Sequence, residues 1–90
     1  MPSVHEQEIS VATEIKMILQ ILDAAEGGRL KQSQLSRKLR DRGYPFDYYR
    51  RNAALLQLEA EGRICREVRG YDSRGFRRVG WVLHTANDAF

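Results

Sequence analysis

The chain has 90 residues, a net charge of +3 at neutral pH, 42% apolar residues and a single cysteine. This length makes one domain with a thin core, and the apolar share excludes wholesale disorder. There is no apolar run long enough to span a bilayer, no basic-then-apolar secretory start, and no partner for Cys65 in an intrachain disulfide, so the expected setting is cytoplasmic and reducing.

Charge is unevenly placed. Residues 1–28 hold one lysine against five acids, whereas residues 29–78 hold fourteen lysines and arginines against six acids. The basic part is mostly arginine, which pairs bidentately with phosphate and with guanine edges. An imbalance confined to one part of a small domain points to a polyanion-binding face, with a solvated basic surface as the plainer alternative.

Residues 1–7 read as a mobile polar tail. From about Glu8 to Ala25 the periodicity is helical, with Val11, Ile15, Ile18, Leu19 and Leu22 on one side and Gly27-Gly28 as the stop. Met17 and Ile21 lie one turn apart on the other side. They stand exposed, lie beneath the C-terminal tail, or form a homodimer contact. Arg29-Leu30-Lys31 is short enough to be a small strand. A second helix is expected from Gln32 to Arg42, with Leu35 and Leu39 inward, closed by Gly43 and an extended Tyr44-Pro45.

A third helix is expected from Asp47, its N-cap, to Gly62, its stop. One face carries Tyr48, Leu55 and Leu58 at core spacing; another carries Tyr49, Arg50, Ala53 and Gln57, suited to a polar, negatively charged partner. Tyr48 is read as structural and Tyr49 as exposed. A short helix, a glycine-containing turn and a longer helix make a helix-turn-helix layout. Arg63 to Arg69 and Phe76 to Leu83 are rich enough in β-branched and aromatic residues to be strands, joined by the turn Gly70–Gly75. Val79, Trp81 and Leu83 share one face of the second strand, and Ile64 and Val68 one face of the first, both turned to the core. Gly80 marks a close approach of another backbone. Cys65 reads as a small half-buried side chain.

Helix, helix-turn-helix and basic β-hairpin together resemble the winged-helix DNA-binding domains. The segment Leu55-Leu-Gln-Leu-Glu-Ala-Glu-Gly-Arg-Ile64 is similar to the recognition-helix ending and first wing strand of bacterial and archaeal transcriptional regulators. The small FaeA/PapI-like regulators of adhesin operons look similar in size and around Tyr48–Gly62. The resemblance implies an α+β fold, a three-helix winged helix-turn-helix with a C-terminal β-hairpin wing over residues 8–84, between tails 1–7 and 85–90. It also implies double-stranded DNA as partner. Tyr49, Arg50, Arg51, Asn52 and Gln57, with Tyr48 nearby, would lie on or near the helix in the major groove. Arg37, Lys38 and Arg40 would hold the backbone, and Arg69, Arg74, Arg77 and Arg78 would touch phosphates or the minor groove. Arg51 departs from the pattern, since a small aliphatic residue usually stands there. Either Tyr48 supplies the missing packing or the helix is rotated.

Catalysis is not expected. His5 and His84 have no acid or nucleophile at triad spacing, Gly27-Gly28 follows a helix instead of opening one, and no cysteine–histidine cluster suits zinc. Neither a metal nor a cofactor is expected. The competing function is a winged-helix protein-interaction module that works through the acidic first helix, with Met17 and Ile21, and does not bind DNA. A homodimer through that helix or through the C-terminal tail is compatible with both readings.

Overall fold

The computed structural model describes residues 9–84. Both expected tails, His5 and the dimer contact through residues 85–90 lie outside the described residues. The order is helix α1 (Val11–Ala24), a 3-10 turn (Glu26–Gly28), strand β1 (Arg29–Lys31), helix α2 (Gln32–Asp41), helix α3 (Tyr48–Ala60), strand β2 (Ile64–Tyr71) and strand β3 (Arg77–Leu83). The strands form one antiparallel sheet in the order β1-β3-β2. Three helices against this sheet, with the β2–β3 hairpin at the end, make an α+β fold of winged-helix shape. Among the described residues no helix is long and apolar enough to cross a membrane.

Local chemistry sets the element ends. The Ser10 hydroxyl accepts from the Thr13 backbone N–H at 3.1 Å, so α1 starts after Ser10 and not at Glu8. Asp47 caps α3 through the Arg50 N–H at 2.9 Å. At the far end of α3 Gly62 takes φ +74°, and the Arg63 N–H reaches back to the Leu58 carbonyl at 2.9 Å. Gln34 Oε1 accepts from the Lys31 N–H at 3.0 Å, and the Trp81 indole N–H donates to Gln32 Oε1 at 3.0 Å, which ties the start of α2 to the sheet.

The core gathers Ile15, Ile18, Ile21 and Leu22 of α1, Leu35 and Leu39 of α2, Ala54, Leu55 and Leu58 of α3, and Leu30, Ile64 and Trp81 of the sheet. Leu35, Leu39, Leu55, Leu58 and Trp81 are buried as their spacing requires. Several expectations need correction. Ile21 is 2% exposed and Met17 is half-buried against the core, so the back-face pair does not stand on the surface as a dimer contact. Helix α1 is rolled so that Glu14, Ile18 and Ile21 turn inward, leaving Val11 and Leu19 only partly covered. Tyr48 is 60% exposed because it sits on the first turn of α3, beyond the reach of the core. Val68 is exposed because β2 has by then run past the helices, and Cys65 is exposed on the outer face of the sheet.

Gly80 lies in the central strand, paired with Lys31 on one side and Glu67 on the other. A Cβ there would meet the Arg69 side chain, which lies across the strand, and would stand 3.0 Å from the Leu30 carbonyl oxygen. The expected close backbone is therefore β1, and the missing side chain also makes room for Arg69. Gly80→Val should lower stability by about 1–3 kcal/mol, read as a lower urea midpoint. An unchanged or raised midpoint would show that Arg69 and β1 yield freely.

Candidate nucleic-acid interface

Glu14 is fully buried on α1, an uncommon place for a carboxylate unless it is paired. Its two oxygens accept separately, one from Arg50 Nε and the other from Arg51 Nε. Arg51, 3% exposed, also donates to Ser36 Oγ of α2 and to the Tyr44 carbonyl, both at 3.2 Å, and stacks 5.4 Å from the centroid of the Phe46 ring. Arg50 donates to the Pro45 carbonyl at 2.6 Å. The network joins α1, α2, α3 and the α2–α3 turn. Among the described residues no buried side-chain nitrogen or oxygen is left without a partner. Arg51 itself occupies the place where the resemblance expects an aliphatic residue. Tyr48 does not fill in, and the helix is not turned to expose the guanidinium.

Two residues expected at the interface are therefore withdrawn from it. Arg51 is an interior residue, and the Arg50 side chain is 14% exposed, with its Nε bound to Glu14 and one terminal nitrogen to the Pro45 carbonyl. The exposed residues of α3 are Tyr48, Tyr49, Asn52, Ala53, Leu56, Gln57 and Ala60, and none is charged; the half-exposed Glu59 is paired with Arg66. Gln57 Nε2 donates to Glu61 at 3.3 Å, a surface bond that a competing partner can replace.

Positive charge lies elsewhere. Lys31, Arg37, Lys38, Arg40, Arg77 and Arg78 are exposed and make no ion pair among the described residues. Strand β1 ends at Lys31 and leaves the edge of β3 from Arg77 to Val79 beside the start of α2. Lys31, Gln32, Ser33, Arg69, Arg77, Arg78 and Val79 line an open groove of about 570 Å³ at this junction, and no carboxylate lines it. Ser33, Arg37 and Arg40 follow at spacings of four and three on α2, so one helix face carries the basic surface away from the groove. Arg69 is partly neutralised by Glu67 at 3.1 Å, and Arg74 lies 3.9 Å from Asp72.

The structure thus brings together Arg69, Arg77 and Arg78 in one groove, with Arg37 and Arg40 on the α2 face that leads from it. It leaves Lys38 exposed on another side of α2 and holds Arg50 and Arg51 apart from the groove. Lys31, Gln32 and Ser33 escaped the reading of residue types. The available signal was Lys31 at the end of a three-residue strand beside a helix start. Glu14 was legible as the one acid within the apolar side of α1, but its partners depend on how the helices pack.

Removing one partner of a buried ion pair leaves uncompensated charge inside. Glu14→Ala should lower the unfolding free energy by roughly 3–5 kcal/mol in urea denaturation, and Glu14→Leu combined with Arg51→Met should recover a large part of that loss. A loss below about 1 kcal/mol for Glu14→Ala would show that solvent reaches both arginines without penalty.

Comparison of the chain with models of known protein families, with curated proteins and with solved structures finds no match.

Proposed function

We propose that this protein is a non-enzymatic binder of double-stranded DNA, acting as a small regulator of transcription. The observation that carries the reading is the groove lined by the unpaired Lys31, Arg77 and Arg78, with the Glu67-paired Arg69 beside them, which continues along Arg37 and Arg40 of α2. Unpaired cations along a continuous surface meet a phosphate backbone through counterion release, which supplies sequence-independent affinity. Helix α3 supplies the reading head. With no cation on its outward face it lacks the bidentate guanine contact. Asn52 and Gln57 suit the N6/N7 edge of adenine, and Ala53 and Leu56 suit the thymine methyl. The preferred site is accordingly expected to contain A·T pairs in the contacted major groove.

For the protein-interaction reading, Ile21 and Glu14 are not available, since Ile21 belongs to the core and Glu14 is paired with Arg50 and Arg51. Asp23 and Glu26 stay exposed, and Met17 is half-buried. A homodimer remains compatible with DNA binding; of the two residues expected to form its contact in α1, Ile21 is buried and Met17 half-buried.

Fluorescence anisotropy of a labelled duplex, titrated at several salt concentrations, tests the reading. Log affinity should fall linearly with log salt, with a slope of about −0.9 per neutralised phosphate. The double variant Arg77→Ala/Arg78→Ala should weaken all sequences alike and flatten that slope by about 2. No binding at low salt would overturn the proposal. Once a preferred sequence is selected, Asn52→Ala should lose about 1–3 kcal/mol of discrimination at one A·T position while keeping its affinity for random duplex. Uniform weakening across sequences would instead make Asn52 a backbone contact.

A further inference from the structure

The outer half of the hairpin leaves the body of the domain, and no residue from 68 to 78 is buried. Its backbone is nevertheless held firmly. The register shifts by one residue between Val68 and Tyr71, so that Arg69 and Gly70 together stand opposite Arg78, with Gly70 at φ +117°. At the tip, Asp72 Oδ1 accepts from the Arg74 N–H at 2.8 Å and from the Phe76 N–H at 3.0 Å. The Asp72 N–H donates to the Phe76 carbonyl at 2.9 Å, and the Gly75 N–H donates to the Asp72 carbonyl at 3.0 Å.

This fixed turn presents Tyr71 and Phe76, each 64% exposed, and the Arg74 guanidinium lies 5.4 Å from the centroid of the Phe76 ring. A phenylalanine here adds nothing to the core, and the turn is already closed by Asp72. An aromatic ring and a guanidinium plane are the two kinds of side-chain surface on which bases stack, and apolar wedges driven between base steps kink a duplex. Arg77 and Arg78, the next two residues of the chain, line the cationic groove. Phosphates held there would bring a base step to the tip.

We propose that Phe76, backed by Arg74, wedges into the base stack of duplex DNA while Lys31, Arg77 and Arg78 hold the neighbouring phosphates, so that the protein bends the DNA it binds. The proposal rests on the duplex-binding reading above. It goes beyond it by making the wing an instrument of deformation and not only a clamp on the backbone. The hydrogen bonds that close the turn matter, because a tip without them would be pushed aside by the stack it has to open.

The test uses the full chain and a short duplex carrying a donor at one end and an acceptor at the other. Anisotropy reports binding separately. At saturating protein the wild type should raise energy transfer, corresponding to a bend of roughly 20–90°, and should make thymines at the opened step reactive to permanganate. Phe76→Ala, whose side chain is exposed and whose fold is checked by circular dichroism, should leave the saturated duplex straight and its thymines protected. Phe76→Trp should restore both signals. Equal bending by wild type and Phe76→Ala would overturn the wedge while leaving DNA binding intact, as would a straight duplex under bound wild type. An absence of any anisotropy change with wild type would overturn the duplex reading itself.

Discussion

The buried carboxylate of Glu14 and the two arginines it holds are the constraint on which the helical half of this domain depends. Two guanidinium groups cannot enter a small core unless something offsets their lost hydration. Glu14 gives each one an oxygen, and the carbonyls of Tyr44 and Pro45 and the hydroxyl of Ser36 accept one further hydrogen bond each. Hydrogen bonds are directional, so the network dictates more than proximity. It sets the roll of α1, the path of the α2–α3 turn and the depth at which the first turn of α3 sits. Apolar packing alone tolerates rearrangement when volumes match; a carboxylate shared between two fixed guanidinium groups tolerates much less.

That constraint also divides the arginines of the chain into two populations. Arg50 and Arg51 hold the interior together. Arg66 lies 5.0 Å from the Trp81 ring centroid and 3.1 Å from Glu59, covering the edge of the core, and Arg29 and Arg69 share Glu67 across the outer face of the sheet. Those left without acidic partners cluster on α2 and on β3. The excess of positive charge in residues 29–78 is therefore not spread over the surface but concentrated along one groove and one helix face. The outward face of α3, by contrast, is uncharged, which moves the expected burden of affinity to α2 and the hairpin and leaves selectivity to amide and apolar side chains.

The hairpin shows the same separation of roles. Its inner half belongs to the core through Ile64 and Trp81, and its outer half has no buried residue. What keeps the outer half ordered is strand pairing, a one-residue bulge at Arg69-Gly70 and an aspartate that accepts two backbone N–H groups in the turn. Gly80 links the halves, because only an absent side chain lets Arg69 lie across the central strand beside β1.

Much of this was readable in the residues themselves. The caps at Asp47 and Gly62, the inward leucines of α2 and α3, the hairpin between Arg63 and Leu83 and the small strand at Arg29-Leu30-Lys31 follow from local chemistry: short polar caps, glycines at left-handed positions, and apolar periods of 3.6 and 2. Local rules failed where a side chain's fate depends on residues far away in the chain. Arg50 and Arg51 read as surface groups because arginine usually is one, and only the packing of α1 against α3 brings Glu14 to them across thirty-six and thirty-seven positions. Ile21 was placed opposite the core-facing side of α1, with its cover left open, because the periodicity of one helix fixes which residues share a side, not which side is covered. The groove beside Lys31 exists only because β1 stops short and leaves the β3 edge to α2. Sequence by itself determined the elements, the ends of α3 and most of the hydrophobic set that joins them. Tertiary structure alone decided which charges are used up inside and which remain free, because ion pairing depends on three-dimensional distance, to which spacing along the chain is blind.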